Sequence, residues 1–170
     1  YLGSHNDHDY YVVLENKNWF EAEEFAYSMG GHLAAINTPG ENDFLDNLNQ
    51  WGSLWIGLRD FHDDGTGWGW ITDEPLGYTN WNDGEPNNSD GNEHYAELMV
   101  SNGLWNDLPN DFQRSFIVEL EVNDVDDSSS VYFIKEDYAD YTDPHNRDHI
   151  TETVAITRAD NQGLFNPYTE

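Results

Sequence analysis

The chain predicts an α+β domain in which two short helices come first and antiparallel strands with long loops come after. Two capped amphipathic segments, residues 18–29 and 38–48, carry apolar residues at helical spacing. Beyond them the pattern changes to short apolar runs, Leu54-Trp55-Ile56-Gly57-Leu58 and Trp68-Gly69-Trp70-Ile71, between stretches dense in Gly, Asp, Asn and Pro. Burial capacity is the third observation. Aromatic residues make up 15% of the 170 residues, with seven Trp and ten Tyr, enough to fill one core despite 34 acidic residues against six basic ones. That length suits one domain plus an appendage.

Tyr10-Tyr11-Val12-Val13-Leu14 reads as the opening strand, being aromatic and β-branched. Asn18 is a good N-cap for the first helix, with Glu21 three positions later as capping-box partner. Trp19, Ala22, Ala26 and Met29 form its inner face before Gly30-Gly31 ends it. Thr38 caps the second helix, Pro39 takes its first position, Glu41 completes another box, and Phe44, Leu45 and Leu48 face inward. Strands are expected at Tyr95–Val100 and Ser115–Leu120, with Asn102-Gly103 as a hairpin signal after the first. Residues 59–67 and 73–92 make loops long enough to suggest function. Residues 1–121 therefore form the main domain. Residues 122–130 are an acidic, Ser-rich linker, and residues 131–170 are a β-rich extension with strands near Val131–Ile134 and Val154–Ile156. The extension is too small for stability alone, so it is expected to pack on the main domain or to belong to a neighbouring module.

A formal charge of -28 makes nucleic acid and anionic membrane surfaces poor partners and cations natural ones. Many of the surface acids serve equally well for solubility alone. Without cysteine, neither disulfides nor thiolate metal sites are available. No segment approaches the roughly 18 apolar residues of a membrane span, so no membrane insertion is expected. Nor is there a signal-peptide pattern, as an excised module would lack one.

Between Trp81 and Asp107 the chain collects Glu85-Pro86-Asn87, then Glu93, then Trp105-Asn106-Asp107. Three carboxylates and two amides around a proline turn supply the all-oxygen donor set that a hard divalent cation needs. Such residues are also the ordinary material of surface turns, and the tripeptide alone carries little weight. The seven histidines are scattered along the chain, and surface or turn positions are their default reading. No nucleophile–base pair or activated-water arrangement stands out, so no enzyme is expected.

Taken together, the first 121 residues resemble a C-type lectin-like domain. Trp19, Ala22, Gly30, Gly31 and Leu33-Ala34-Ala35-Ile36 resemble the family's first helix and the strand after it. Trp55-Ile56-Gly57-Leu58 resembles its core strand, and the two loop motifs come in the family's order. The resemblance implies that Glu85, Asn87, Glu93, Asn106 and Asp107 ligate Ca2+ and also bind the carbohydrate, with Glu85-Pro86 cis. Those residues offer about six oxygens, and calcium takes roughly 6 to 8, so two positions remain for sugar hydroxyls. Glutamate–proline–asparagine resembles the mannose, fucose and glucose type, whereas glutamine–proline–aspartate accompanies galactose selectivity. Trp81 and Trp105 match buried family positions, and a second calcium would draw on Asp60, Asp63, Asp64 and Asp90, although Asn88 and His94 replace acids there.

The family usually carries two disulfides, which this chain cannot make. Ala26 and Val118 stand at one pair of positions, Tyr95 and roughly Asn110 at the other. Bound calcium would then hold the long loop. The cysteine-free acidic character resembles lectin modules of large bacterial calcium-dependent adhesins, which implies a cell-adhesion module, extracellular or at the cell surface, within a larger multidomain protein. The alternative is a calcium-stabilised protein- or ice-binding module on the same fold. In the extension, Asp137, Asp140 and Asp143 suit a solvated acidic face better than a calcium loop.

Overall fold

The computed structural model describes residues 1–48, 52–99, 102–122, 130–135 and 152–157. The chain divides into two compact units, Tyr1–Val122 and Asn123–Glu170.

The first unit opens with a hairpin of β1 (Gly3–His5) and β2 (His8–Lys17), which turns on Asn6 and Asp7, both at positive φ. Asn and Asp are the side chains that tolerate this region best after glycine. The opening strand expected from Tyr10 thus begins at His8 and has a partner. Helix α1 (Trp19–Ser28) starts as expected: Glu21 N donates to Asn18 Oδ1 (2.9 Å) and Asn18 N to Glu21 Oε2 (3.0 Å). It buries Trp19, Ala22 and Ala26. Behind it Gly31 lies against the last strand of the sheet, where an added Cβ would stand 2.1 Å from Glu119 O. The strand β3 (His32–Leu33) comes next, then α2 (Pro39–Leu48).

The second capping box is only half formed. Glu41 N donates to Thr38 Oγ1 (3.2 Å), but the Glu41 carboxylate accepts from Asn37 N (2.8 Å) and from the buried Tyr10 hydroxyl (2.6 Å). A buried hydroxyl needs an acceptor, and Glu41 is drawn to it.

The remaining strands of the sheet are β4 (Leu54–Asp60), β5 (Trp68–Trp70), β6 (Tyr95–Leu98), β7 (Trp105–Leu108) and β8 (Arg114–Glu121). Their order is β1-β2-β8-β4-β6-β7, with β3 also on β8 and β5 also on β4. Pairings are antiparallel except β4 with β8, which run parallel through Leu54↔Ser115 and Trp55↔Phe116. The last strand returns to the start of the domain, pairs with β2, and thereby meets β4 in parallel. The Asn102-Gly103 turn joins β6 to β7, with Leu98↔Trp105 in register and Gly103 at φ 65. The hairpin partner is therefore Trp105–Leu108, a strand not expected from periodicity, and it places Asn106 and Asp107 opposite Glu97 and Ala96.

Two apolar clusters fill the unit. Trp70, Trp105, Ile56, Leu45 and Tyr10 belong to one, with Trp81 packed at its margin. Trp19, Trp55, Phe116, Ala26 and Val118 belong to the other. Both positions of the missing helix disulfide are thus filled by apolar side chains of one cluster. Tyr95 packs against Trp19 and Phe20, while Asn110 Oδ1 lies 3.4 Å from Phe20 N.

In the second unit, β9 (Ser130–Lys135) and β10 (Glu152–Thr157) form an antiparallel pair running from Lys135↔Glu152 to Ser130↔Thr157. Residues 123–129 of the expected linker, Asp137, Asp140, Asp143 and residues 158–170 lie outside the described residues. No helix among the described residues is long and apolar enough to cross a membrane.

Candidate functional site

Asp107 is the centre of the loop region. It sits on β7, fully buried, and its two oxygens accept from successive backbone amides of the loop: Asn87 N to Oδ1 (3.1 Å) and Asn88 N to Oδ2 (2.8 Å). The Glu85-Pro86 bond is cis, and Asn87 Nδ2 donates to Glu85 Oε2. Upstream, the loop is pinned to the same strand by Asn82 N to Trp105 O and Trp105 N to Asn80 O, each 2.8 Å. Downstream, Asn88 stands in the left-handed region (φ 44) and accepts from Glu93 N (3.1 Å), while Glu93 Oε2 accepts from Ser89 N (2.9 Å).

The carboxylates feel one another. Burial first, then its contact with Asp107, pushes the Glu85 carboxyl above the usual range. Burial and the charges of Asp107 and Asp90 do the same for Glu93, against the opposing bond from Ser89 N–H. Negative groups crowded in this way are the electrostatic environment a divalent cation relieves.

Of the five predicted residues, Glu85, Asn87 and Asp107 are linked by direct contacts and Glu93 joins them electrostatically. Asn106 is held sideways: its Nδ2 lies 3.4 Å from Glu97 Oε1, and Glu97 is in turn bound by Arg114 Nε (2.6 Å). That contact leaves the Asn106 amide oxygen as the atom available to a cation. Carboxylate oxygens of Glu85, Glu93 and Asp107 do not all lie within 4.8 Å of one another, so an ion bound by all three would draw them inward. Glu97 and Arg114 escape sequence reasoning, as does the part Asn88 plays in holding the loop. Only the asparagine carries a signal, its tolerance of left-handed backbone.

Two of the four acids expected at a second calcium position, Asp60 and Asp64, are otherwise engaged. Asp60 is buried and accepts from the backbone N–H groups of His62 (3.1 Å), Gly65 and Gly67 (2.7 Å). Burial opposes its charge, yet the amides of Gly65, His62 and Gly67 outweigh it and hold the carboxyl below the usual range. His94 Nδ1 adds an ion-pair distance of 3.4 Å to Asp60 Oδ2. Asp64 is turned to Thr66. Trp105, buried with its Nε1 on Asn42 Oδ1 (2.8 Å), and Trp81, stacked edgewise on Trp68 and Trp105, are core anchors.

Residues 15–119 match the family model of the lectin C-type domain. This chain belongs to the C-type lectin domain family. Similar curated proteins include the "C-type lectin mannose-binding isoform" of Oxyuranus scutellatus, 39% identical over 119 residues that span 65% of this chain and 75% of that one. Another is "C-type lectin domain family 4 member K" of Homo sapiens, 35% identical over 113 residues, 64% of this chain and 34% of that one. The match therefore spans only about a third of that relative's length. Among solved structures, the mouse scavenger receptor C-type lectin carbohydrate-recognition domain superposes with TM-score 0.65 at 33% identity, covering 72% of this chain and 94% of that chain. A calcium-independent type II antifreeze protein superposes with TM-score 0.64 at 24% identity, covering 69% and 89%, and shares the fold alone. Carbohydrate binding is the general property of the lectin family, and its members are generally not enzymes. The all-oxygen donor set of the loop fits calcium, the ion that lectin domains of this family generally bind.

Proposed function

We propose that the lectin domain binds one calcium ion through Glu85, Asn87, Glu93, Asn106 and Asp107, and through it a mannose-, fucose- or glucose-type sugar. The observation that carries this reading is the gathering of Glu85, Asn87 and Glu93 around the buried Asp107 carboxylate. About six protein oxygens leave room for two adjacent sugar hydroxyls in a shell of roughly 6 to 8. Each hydroxyl would donate to a carboxylate and accept from the amide of Asn87 or Asn106, which satisfies both of its roles.

A single open site of this kind binds a monosaccharide weakly, at about 1 mM or roughly 4 kcal/mol. Multivalent display raises that strength without new contacts. This suits an adhesion module at the cell surface, carried by a larger protein. The similarity to a mannose-binding isoform supports the mannose-type assignment.

A glycan array tests it. Mannose- or fucose-bearing glycans should be retained in calcium, lost with chelator, and lost in Asn87→Ala. Binding that persists in chelator would refute the mechanism. Calcium that stabilises the domain while no free sugar binds would instead favour a protein- or ice-binding module.

A further inference from the structure

We propose that Arg114 and Glu97 are positioning residues for the calcium ligand Asn106, an assignment that rests on the calcium-dependent sugar site proposed above. Neither belongs to the five ligands. They act by fixing which way round the Asn106 amide is held.

Glu97 lies on β6 directly opposite Asn106 on β7 and is buried, 5% exposed. Its Oε1 is 3.4 Å from Asn106 Nδ2. A carboxylate accepts hydrogen bonds without donating, whereas an amide has an accepting oxygen and two N–H donors. The reverse orientation of Asn106 would set its oxygen against the Glu97 oxygen, acceptor against acceptor. Glu97 therefore occupies one N–H, which leaves Oδ1 for the ion and the second N–H for a sugar hydroxyl. That division matters because calcium takes oxygen ligands, and an amide turned over would present N–H to it.

Arg114 holds Glu97 in place. The two stand on strands that are not neighbours: β4 runs between β8 and β6, and Trp55 pairs with Phe116 on one side and with Glu97 on the other. The guanidinium reaches across, with Nε donating to Glu97 Oε2 at 2.6 Å. Nη1 donates to Gln113 O (3.2 Å), and the guanidinium carbon lies 5.3 Å from the centre of the Phe112 ring, so the fork is itself fixed. The other two basic side chains of the first unit stand elsewhere, Lys17 at Glu15 and Arg59 among Phe20, Phe61 and Tyr95. Removing Arg114 leaves Glu97 a buried charge without its partner, a cost that displaces the carboxylate and releases the amide.

Charge alone predicts the opposite outcome at Arg114. Deleting a cation near bound calcium should tighten calcium binding on Coulombic grounds, whereas loss of positioning weakens it. The test measures calcium affinity of the full chain by chelator competition at constant ionic strength, and reads the Asn106 side-chain amide by NMR in chelator. In the parent chain the Asn106 amide protons should show NOEs to the Glu97 methylene protons before calcium is added. Arg114→Gln should lose those NOEs and bind calcium about 10-fold to 100-fold more weakly. Should Arg114→Gln misfold, Glu97→Gln, whose own amide can donate to Asn106 Oδ1, replaces it, with loss of the NOEs as the deciding readout. Calcium affinity unchanged or raised in folded Arg114→Gln, NOEs retained in the variant, or none in the parent would overturn the assignment alone. A parent chain that binds no calcium would overturn the proposed calcium site and this inference with it.

Discussion

Asp107 has two roles that single substitutions separate. Its carboxylate holds the loop by accepting from Asn87 N and Asn88 N, and it also faces Glu85. Asp107→Ala leaves two partly buried amides unpaired and should cost about 1–3 kcal/mol of stability in urea unfolding even with chelator present. Asn87→Ala removes an exposed side chain and should abolish sugar binding with much less effect on calcium-free stability. Equal losses in both variants would mean that the loop is not organised by Asp107. At Glu119 the expectation concerns pH. Its folded pKa is raised from 4.5 to about 7, so the folded state holds a proton that the unfolded state releases. Stability from this group is present below about 4.5 and is lost as pH rises through about 7, so the chelated protein should be more stable at pH 5 than at pH 8. Glu119→Gln should flatten that slope in thermal unfolding. Four of the five proposed calcium ligands were legible because they lie in two short motifs within one stretch, with Glu93 between them. The meeting of Glu41 and Glu119 at the Tyr10 hydroxyl was not, since only the pairing of β2 with β8 and the docking of α2 bring them together.

Local sequence rules succeeded for the elements wherever the signal was self-contained. Asn18 and Glu21 form the box their spacing announced, and Asn18→Ala should cost about 1 kcal/mol, read as a lowered urea midpoint with unchanged m-value. Thr38 and Glu41 show the opposite case, in which Tyr10 from a distant strand captured the carboxylate. Periodicity does not announce the strand Trp105–Leu108, because its adjacent polar residues Asn106 and Asp107 contact Glu97 and the loop amides rather than alternating with apolar ones. The parallel β4–β8 pairing was equally invisible, for it depends on where the last strand returns. Without disulfides, the long loop relies on backbone bonds to Trp105 and on Asp107 for its shape. Calcium should therefore protect the amides of residues 82–93 from hydrogen exchange more than those of α1.

For the whole molecule, a charge of -28 implies self-repulsion in the folded state. Raising the salt concentration should raise Tm by screening, and calcium should raise it further at constant ionic strength. An increase that monovalent salt reproduces in full would mean that calcium acts only as a counterion. The central claim is that one ion, held by Glu85, Asn87, Glu93, Asn106 and Asp107, itself receives the sugar. Calorimetric titration of mannose into the domain, with calcium and then with chelator, tests it most directly. One sugar per chain, bound only with calcium and not by Asn87→Ala, is the predicted result; mannose heat that survives the chelator would contradict it.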